Sequence, residues 1–196
     1  MRKGKIIVLE GIDKAGKSTQ SKLLMDYLKL SGKICTLITF PDYTTSIGAE
    51  IKAFLEGKRD YPIELKHILL SANRWEKKKE IESMVDSGTI VIINRYYQSN
   101  LVYGTSNGLN LRWLLSLEKG LPTADLVIVL DVTPRITLKR SLEPDEFEKD
   151  VSLLQNVYKN YHKLAKPFRW KILNAEKSRD QIHDEVKKTV ERIIKV

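Results

Sequence analysis

The chain has 196 residues, a net charge of +9 at pH 7 and one cysteine, Cys35. This length fits one domain, residues 1–196, with a core of its own, and a single cysteine excludes internal disulfides and cysteine-rich metal sites. The positive charge suits nucleic acid or small polyanions, but the lysine clusters have acidic neighbours, as solvated helix faces do, so we expect no nucleic acid partner. No stretch has the length of a signal-peptide core or a membrane span, which favours a cytoplasmic protein without membrane contacts.

The first predicted elements are a strand, a glycine-rich loop at residues 11–18 and a helix, in that order. This order is typical of a phosphate-binding loop, in which Gly11 and Gly16 let successive backbone N–H groups point at phosphate oxygens. Lys17 would neutralise the β- and γ-phosphates, and the Ser18 hydroxyl would bind Mg²⁺. The sequence therefore predicts a site for a nucleoside triphosphate.

Short apolar, β-branched runs recur along the chain and predict strands. They show no polar alternation, which is typical of strands buried on both faces of a parallel sheet. The runs are Ile6–Leu9, Cys35–Thr39, Thr89–Ile93, Leu126–Leu130 and Trp170–Leu173. Helical patterns separate them, and this alternation predicts an α/β protein with the three-layer α/β/α P-loop NTPase fold and a five-stranded parallel sheet.

The predicted helices have recognisable ends. The first ends before Gly32, a suitable C-cap residue. A second follows Pro62 and carries apolar residues as far as Val85, and the last begins with Ser178 and Gln181 at the spacing of a capping box. In such folds ligands bind at the carboxyl ends of the strands, so we expect the segments that follow the strands to meet at one cleft.

Several short motifs accompany the phosphate loop. They are Phe40-Pro41, the run Ser71–Glu76, the run Asn94-Arg95-Tyr96, and Ser99, Asn100 and Tyr103. With these motifs the chain resembles the thymidylate kinases, and the resemblance extends from the first strand to the loop at residues 175–178. It implies transfer of the γ-phosphate of ATP to dTMP, giving dTDP for dTTP biosynthesis, with Mg²⁺ as cofactor, ATP as co-substrate and a homodimer as the assembly.

The resemblance also implies roles for individual residues. Those implied in catalysis are Lys14, Lys17, Asn94 and Arg95, and such cations suit phosphoryl transfer, which depends on charge neutralisation and alignment. Those implied to contact ATP are Gly11, Asp13, Lys14, Ala15, Gly16, Lys17, Ser18, Thr19, Arg140, Ala175 and Lys177. Those implied to contact dTMP are Asp13, Phe40, Pro41, Leu70, Arg74, Arg95, Ser99, Asn100 and Tyr103. Magnesium would be bound by Ser18 and, through water, by Glu10, with Asp131 as the alternative acidic residue.

Some of these side chains have an alternative interpretation. Arg74 would approach the thymine carbonyl, or it forms a surface ion pair with a glutamate such as Glu80. Tyr103 would pack near the sugar 2′ position and disfavour ribonucleotides, or it is an ordinary core residue with a hydrogen-bonded hydroxyl. Asp13 would contact the 3′-hydroxyl of the acceptor. Arg140 would stack on adenine, or it is a surface charge at a helix end.

The resemblance places a lid over ATP at residues 134–150, and its closure would exclude water from the reaction. The lid is rich in acidic residues, unlike lids that deliver an arginine to the phosphates. The basic residue would instead come from the phosphate loop as Lys14, where arginine is common in the family.

Three positions depart from the usual family pattern. Asn94 stands where an aspartate is usual, so it contributes no charge to magnesium, and Asn94→Asp is expected to raise turnover or metal affinity. Tyr43 stands where an arginine commonly clamps the acceptor phosphate, which predicts a high KM for the monophosphate. Leu70 replaces a phenylalanine that stacks on thymine, so we expect looser base selection and acceptance of dUMP as well as dTMP.

The sequence is also compatible with two other functions. A related P-loop kinase could phosphorylate a deoxynucleoside, since the missing clamp at Tyr43 leaves the need for an acceptor phosphate undecided. A weakly active paralogue could bind nucleotide and regulate a partner, which the amide at Asn94 would favour. Retention of Lys17, Arg74 and Arg95 argues against the second alternative, because a mere binding protein has less need of several positioned cations.

Overall fold

Five parallel strands form the central sheet. The computed structural model describes residues 3–140 and 151–194, and for residues 138–140 it describes the backbone alone. The strands are β1 (Ile6–Glu10), β2 (Cys35–Thr39), β3 (Ile90–Asn94), β4 (Leu126–Asp131) and β5 (Lys171–Asn174), in the spatial order β2-β3-β1-β4-β5. Every predicted strand is present, so the predicted parallel sheet is confirmed.

The middle of the sheet is apolar because it is covered on both faces. Strands β1 and β3 are buried at every position, and Val8 of β1 pairs with Ile93 on one side and Val127 on the other. The edge strands differ from the prediction, since β5 exposes Lys171 and Ile172 and β2 is only partly buried. The outermost strands lack a neighbour on one side and lie at the margin of the helical layers, which explains their exposure.

Helices flank the sheet in two layers. The helices are α1 (Lys17–Leu30), α2 (Ser46–Leu55), α3 (Ile63–Glu76), α4 (Lys78–Asp86), α5 (Tyr97–Ser106), α6 (Leu111–Glu118), α7 (Pro134–Arg140), α8 (Val151–Ala165) and α9 (Arg179–Ile194). Helix α1 packs against α9, whereas α5 packs against α8 and α3. The predicted three-layer α/β/α fold is confirmed. Among the described helices, none has both the length and the apolarity that a membrane crossing requires.

The segment between β2 and β3 differs from the prediction. The single helix predicted after Pro62 is two helices, α3 and α4, because the Lys77 N–H donates to the carbonyl of Arg74, three residues back, and ends α3 there. Helices α2, α5 and α6 have no counterpart among the predicted elements. Helix α5 buries polar residues such as Gln98 and Asn100, which hides the apolar periodicity of a helix.

The observed helix ends agree with the predicted ends more closely than the number of helices agrees with the predicted number. Gly32 follows α1 with a φ of 72°, a conformation in which glycine is favoured. At the start of α9, the Ser178 N–H donates to Gln181 Oε1 (3.1 Å) and the Gln181 N–H donates to Ser178 Oγ (3.3 Å). This reciprocal pair confirms the predicted capping box.

Candidate active site

The phosphate loop connects the central strand β1 to helix α1. Gly11 has a φ of 137°, and a Cβ on it would lie 2.6 Å from the Leu130 carbonyl oxygen of β4, so the close approach requires glycine. Gly16 precedes α1 in the left-handed conformation with a φ of 99°. The Lys17 side chain is buried and Nζ donates to the Ile12 carbonyl within the same loop (2.8 Å). The loop thus presents glycine backbone, a helix N-terminus and a cation together, which suits a phosphate.

A cleft of about 630 Å³ opens beside this loop. The predicted site residues that line it are Asp13, Lys14, Gly16, Lys17, Ser18, Thr19, Phe40, Pro41, Leu70, Arg74, Asn94, Arg95, Ser99, Asn100 and Tyr103. Thr39, Tyr43, Leu55 and Tyr96 line it as well. The segments that follow β1, β2 and β3 therefore meet at one cleft, as expected at the carboxyl ends of parallel strands. The segments that follow β4 and β5 supply none of its described lining residues, so the prediction holds for three of the five strands.

Asp13, Arg95 and Tyr103 form one charged cluster in the cleft. Arg95 Nη2 donates to Asp13 Oδ1 and its Nη1 donates to Ser99 Oγ (3.1 Å), while the Tyr103 hydroxyl donates to Asp13 Oδ2 (3.0 Å). Lys17 Nζ lies 3.9 Å from Asp13 Oδ1. Burial opposes ionisation of Asp13, yet the charges of Arg95 and Lys17 hold the pKa of its carboxyl well below the usual range. Asp13 is therefore ionised and keeps the guanidinium in place.

Glu10, at the end of β1, holds the start of α5. Its Oε1 accepts the backbone N–H groups of Tyr96 (2.8 Å) and Ser99 (3.1 Å), and its Oε2 accepts the hydroxyls of Ser99 (2.6 Å) and Tyr161 (2.9 Å). Glu10 is fully buried and does not line the cleft. Its link to magnesium through water stays a prediction. Its observed contacts fix the loop that carries Arg95, which has a φ of 63°, a conformation unfavourable for a residue with a side chain.

Asn94 lies against the phosphate loop. Its Nδ2 donates to Ser18 Oγ (3.1 Å), and its Oδ1 is buried without a hydrogen-bond partner in the described part of the chain. A hydroxyl oxygen and an unpaired amide oxygen thus come from neighbouring side chains. Magnesium prefers oxygen ligands, and in nucleotide sites phosphate oxygens and waters complete its coordination shell. Two protein oxygens are therefore a suitable contribution to a Mg²⁺ site.

Arg74 is buried and pairs with Glu118 at the end of α6. Arg74 Nε donates to Glu118 Oε2 (3.1 Å) and Nη2 donates to Glu118 Oε1. The alternative prediction of a surface ion pair with Glu80 is wrong, because Glu80 instead pairs with Lys77 (3.1 Å). Glu118 was missed by sequence reasoning because its partner is 44 residues away and no local spacing connects them.

The run Ser71–Glu76 contacts several neighbours at once. Asn73 accepts the Asp42 N–H through Oδ1 (2.7 Å), and its Nδ2 donates to the Asp42 carbonyl (3.2 Å) and to Glu76 Oε2 (2.9 Å). Ser71 Oγ and Trp75 Nε1 both donate to the Leu117 carbonyl (3.1 and 2.9 Å). Helix α3 therefore fixes both the segment after β2, which lines the cleft, and the end of α6, whose Glu118 holds Arg74.

Two residues predicted to contact ATP, Ala175 and Lys177, do not line this cleft. Ala175 is buried, and its N–H donates to the Asp131 carbonyl at the end of β4 (2.8 Å). Lys177 pairs with Glu185 of α9. The Arg140 side chain and residues 141–150 of the predicted lid lie outside the described residues, and α7 begins the lid segment at residue 134.

A phosphate loop at the end of the central strand, with cations gathered in one cleft, defines the class of P-loop phosphotransferases. A family model described as thymidylate kinase matches residues 9–186. The chain belongs to the thymidylate kinase family. The thymidylate kinase of Schizosaccharomyces pombe is 36% identical over 94% of this chain and 90% of that protein, and that of Plasmodium falciparum is 37% identical over 98% and 92%.

A solved structure agrees with the sequence relatives. The thymidylate kinase of Candida albicans, whose structure is described as revealing the origin of broad substrate specificity, matches with a TM-score of 0.87 and 28% identity. The match covers 97% of this chain and 92% of that one. The family predicted from the motifs is therefore confirmed.

Proposed function

We propose that this protein, as a single domain, transfers the γ-phosphate of ATP to dTMP, giving dTDP, and that it also phosphorylates dUMP. The observation that carries the proposal is the shared cleft. It joins the phosphate loop and Arg95 to the buried Arg74, so that one end suits phosphates and the other a polar base edge. Membership of the thymidylate kinase family supports the same reaction.

The proposed roles follow from the positions of the side chains. Lys17, Lys14 and Arg95 neutralise the phosphates and stabilise charge on the transferred group, and Asp13 both holds Arg95 and accepts the 3′-hydroxyl of the acceptor. Ser18 would hold magnesium, which would supply further charge neutralisation. Asn94 lies next to Ser18.

The test is an ADP-release assay with MgATP against a panel of acceptors: dTMP, dUMP, dCMP, dGMP, AMP and thymidine. Turnover with dTMP and dUMP, abolished in Lys17→Ala, is the expected result. Turnover with thymidine alone would replace the proposal by a deoxynucleoside kinase. ATP binding without turnover on any acceptor would favour the regulatory paralogue.

Leu70 lines the cleft where the family usually has an aromatic ring. We expect kcat/KM for dUMP to lie within about 10–200-fold of that for dTMP, because an apolar pocket that recognises one methyl group discriminates no further. Leu70→Phe is expected to lower KM for dTMP about 10-fold by stacking on the base, with KM for ATP unchanged. Leu30→Phe, at an exposed position of α1, is the matched control. A dUMP efficiency thousands of times below that of dTMP would contradict the loosened pocket.

Asn94→Asp adds a negative charge next to the proposed magnesium position. The concentration of Mg²⁺ at half-maximal rate is expected to fall about 10-fold, since one more unit charge near the ion contributes on the order of 1 kcal/mol or more. The measurement is the initial rate across a magnesium titration at saturating ATP. Asn156→Asp, on the exposed face of α8, serves as the control. Identical titration curves for the two variants would remove Asn94 from the metal site.

The homodimer implied by the family has support from α3. Leu65, Ile68 and Trp75 of this helix are 37%, 41% and 39% exposed, so its outer surface presents large apolar side chains to solvent. Apolar surface of this kind is typical of a protein interface. We propose that two copies pair through α3, that the protein acts in the cytoplasm, and that it engages neither nucleic acid nor membrane.

A further inference from the structure

We propose that Glu118 is a specificity-determining positioning residue. By holding the Arg74 guanidinium, it makes the cleft select bases that present a ring carbonyl and reject those that present an amino group at the same place. The proposal rests on the proposed function, since it concerns the acceptor end of the same cleft. It assigns to Glu118 an action through Arg74 rather than contact with the substrate.

The pairing fixes the guanidinium in one plane. Arg74 and Glu118 are 3% and 6% exposed, and two N–H groups of Arg74, on Nε and Nη2, go to the two oxygens of the carboxylate. A two-point contact between planar groups leaves little rotational freedom. Arginine carries five N–H donors, so donors that the carboxylate does not use remain on a side chain that lines the cleft.

Asn100 is fixed by the same carboxylate. Its Nδ2 donates to Glu118 Oε1 (2.7 Å) and to the His67 carbonyl (3.2 Å). Because both N–H groups of the amide face acceptors, the other amide atom is the oxygen, and His67 Nδ1 must donate to it (2.6 Å). Burial lowers the pKa of His67 to about 4, the hydrogen bond to Asn100 opposes this change and the nearby Arg74 charge adds to it, so the ring is neutral. Asn100 therefore has no N–H left for a base.

The base is then recognised by the Arg74 guanidinium, which can only donate hydrogen bonds. A guanidinium has no acceptor and does not lose its proton in proteins, so a carbonyl can bind to it but an amino group cannot. In a buried site, two donors that face each other both lack an acceptor. The free-energy cost of leaving them unpaired makes the enzyme discriminate strongly against such a substrate. Thymine and uracil present a carbonyl at C4, where cytosine presents an amino group. The cleft is therefore expected to accept dTMP and dUMP and to reject dCMP.

Glu118→Gln tests the positioning role. A glutamine accepts at one atom only, and its NH₂ group would face an Arg74 donor, which frees the guanidinium to turn. We expect KM for dTMP to rise by about 10-fold or more, kcat to change by less than about 3-fold and KM for ATP to stay constant. The ratio of kcat/KM for dTMP to that for dCMP is expected to fall by about 10-fold or more. Glu118→Asp, which keeps the charge, is expected to restore part of this ratio, and Glu82→Gln, on the exposed side of α4, is expected to change nothing.

If Glu118→Gln does not fold, the double variant Arg74→Met with Glu118→Met provides a second test. An apolar pair of similar size often replaces a buried ion pair without loss of stability. We expect it to fold and to lose the preference for dTMP over dCMP. An unchanged ratio in folded Glu118→Gln, even with a lower melting temperature, or in the double variant where Glu118→Gln does not fold, would overturn the proposal and leave Glu118 a purely structural role. Failure of the proposed function is separate, because it would appear as absent dTMP turnover in the unaltered protein.

Discussion

Arg95→Ala is expected to lower kcat/KM for dTMP by about 10³-fold, the effect of removing a positioned cation from a phosphoryl-transfer site. Arg95 lies in the cleft with its guanidinium between Asp13 and Ser99. Burial opposes its positive charge, but Asp13 and the neighbouring tyrosines raise its pKa well above the usual range, so the charge persists at any working pH. The measurement is steady-state ADP release at varied dTMP and fixed MgATP.

The control for this variant is Arg59→Ala. Arg59 also pairs with a carboxylate, Glu50, at 3.3 Å, but its side chain is 62% exposed and lies away from the cleft. Its removal is expected to change kcat/KM by less than about 2-fold, because exposed ion pairs contribute little. A loss below about 10-fold for a folded Arg95→Ala protein would show that Arg95 does not face the transferred phosphate.

Glu10→Ala is expected to lower the free energy of unfolding by about 3–5 kcal/mol. The substitution removes the acceptor of four hydrogen bonds and leaves the buried N–H group of Tyr96 unsatisfied, whereas the Ser99 N–H keeps its bond to the Tyr96 carbonyl (3.2 Å). The loop that carries Arg95 loses its anchor at the same time, so kcat/KM is expected to fall as well. Urea unfolding followed by circular dichroism gives the stability difference.

Two variants bracket the effect of Glu10. Glu10→Gln is expected to lose less, since an amide oxygen can accept both N–H groups and the amide NH₂ can donate to the two hydroxyls. Glu191→Ala removes the acceptor of a single hydrogen bond, from the Tyr27 hydroxyl, and is expected to change stability by about 1 kcal/mol or less. Equal losses for Glu10→Ala and Glu191→Ala would refute the anchoring role.

The fold was largely predictable because it depends on local signals. Apolar runs, a glycine-rich loop and the capping box at Ser178 each occupy a few adjacent residues, and each appears in the structure where the sequence placed it. Helix α5 was missed for the converse reason. It buries polar side chains that serve the cleft, and a pattern search for apolar stripes cannot recognise such a helix.

The residues of the site were likewise predictable only where the signal is local in the sequence. The cleft-lining residues came from contiguous motifs, whereas the partners that hold them come from distant segments. Glu118 reaches Arg74 from α6, and Tyr161 reaches Glu10 from α8. Such pairs depend on tertiary packing, and no spacing along the chain reveals them. Glu10 is a further example. Its place at the end of the first strand could be predicted from the sequence, but the four hydrogen-bond donors that surround its carboxylate could not.

The contacts of the run Ser71–Glu76 bear on how this protein can evolve. Ser71, Asn73 and Arg74 each bind a different neighbour, so a change at any one of them disturbs the contacts of α3 with another segment of the fold. Leu70, one residue earlier, lines the cleft through apolar contact alone, without a hydrogen bond to maintain. Substrate preference can therefore drift by single mutations at that position while its neighbours stay constrained.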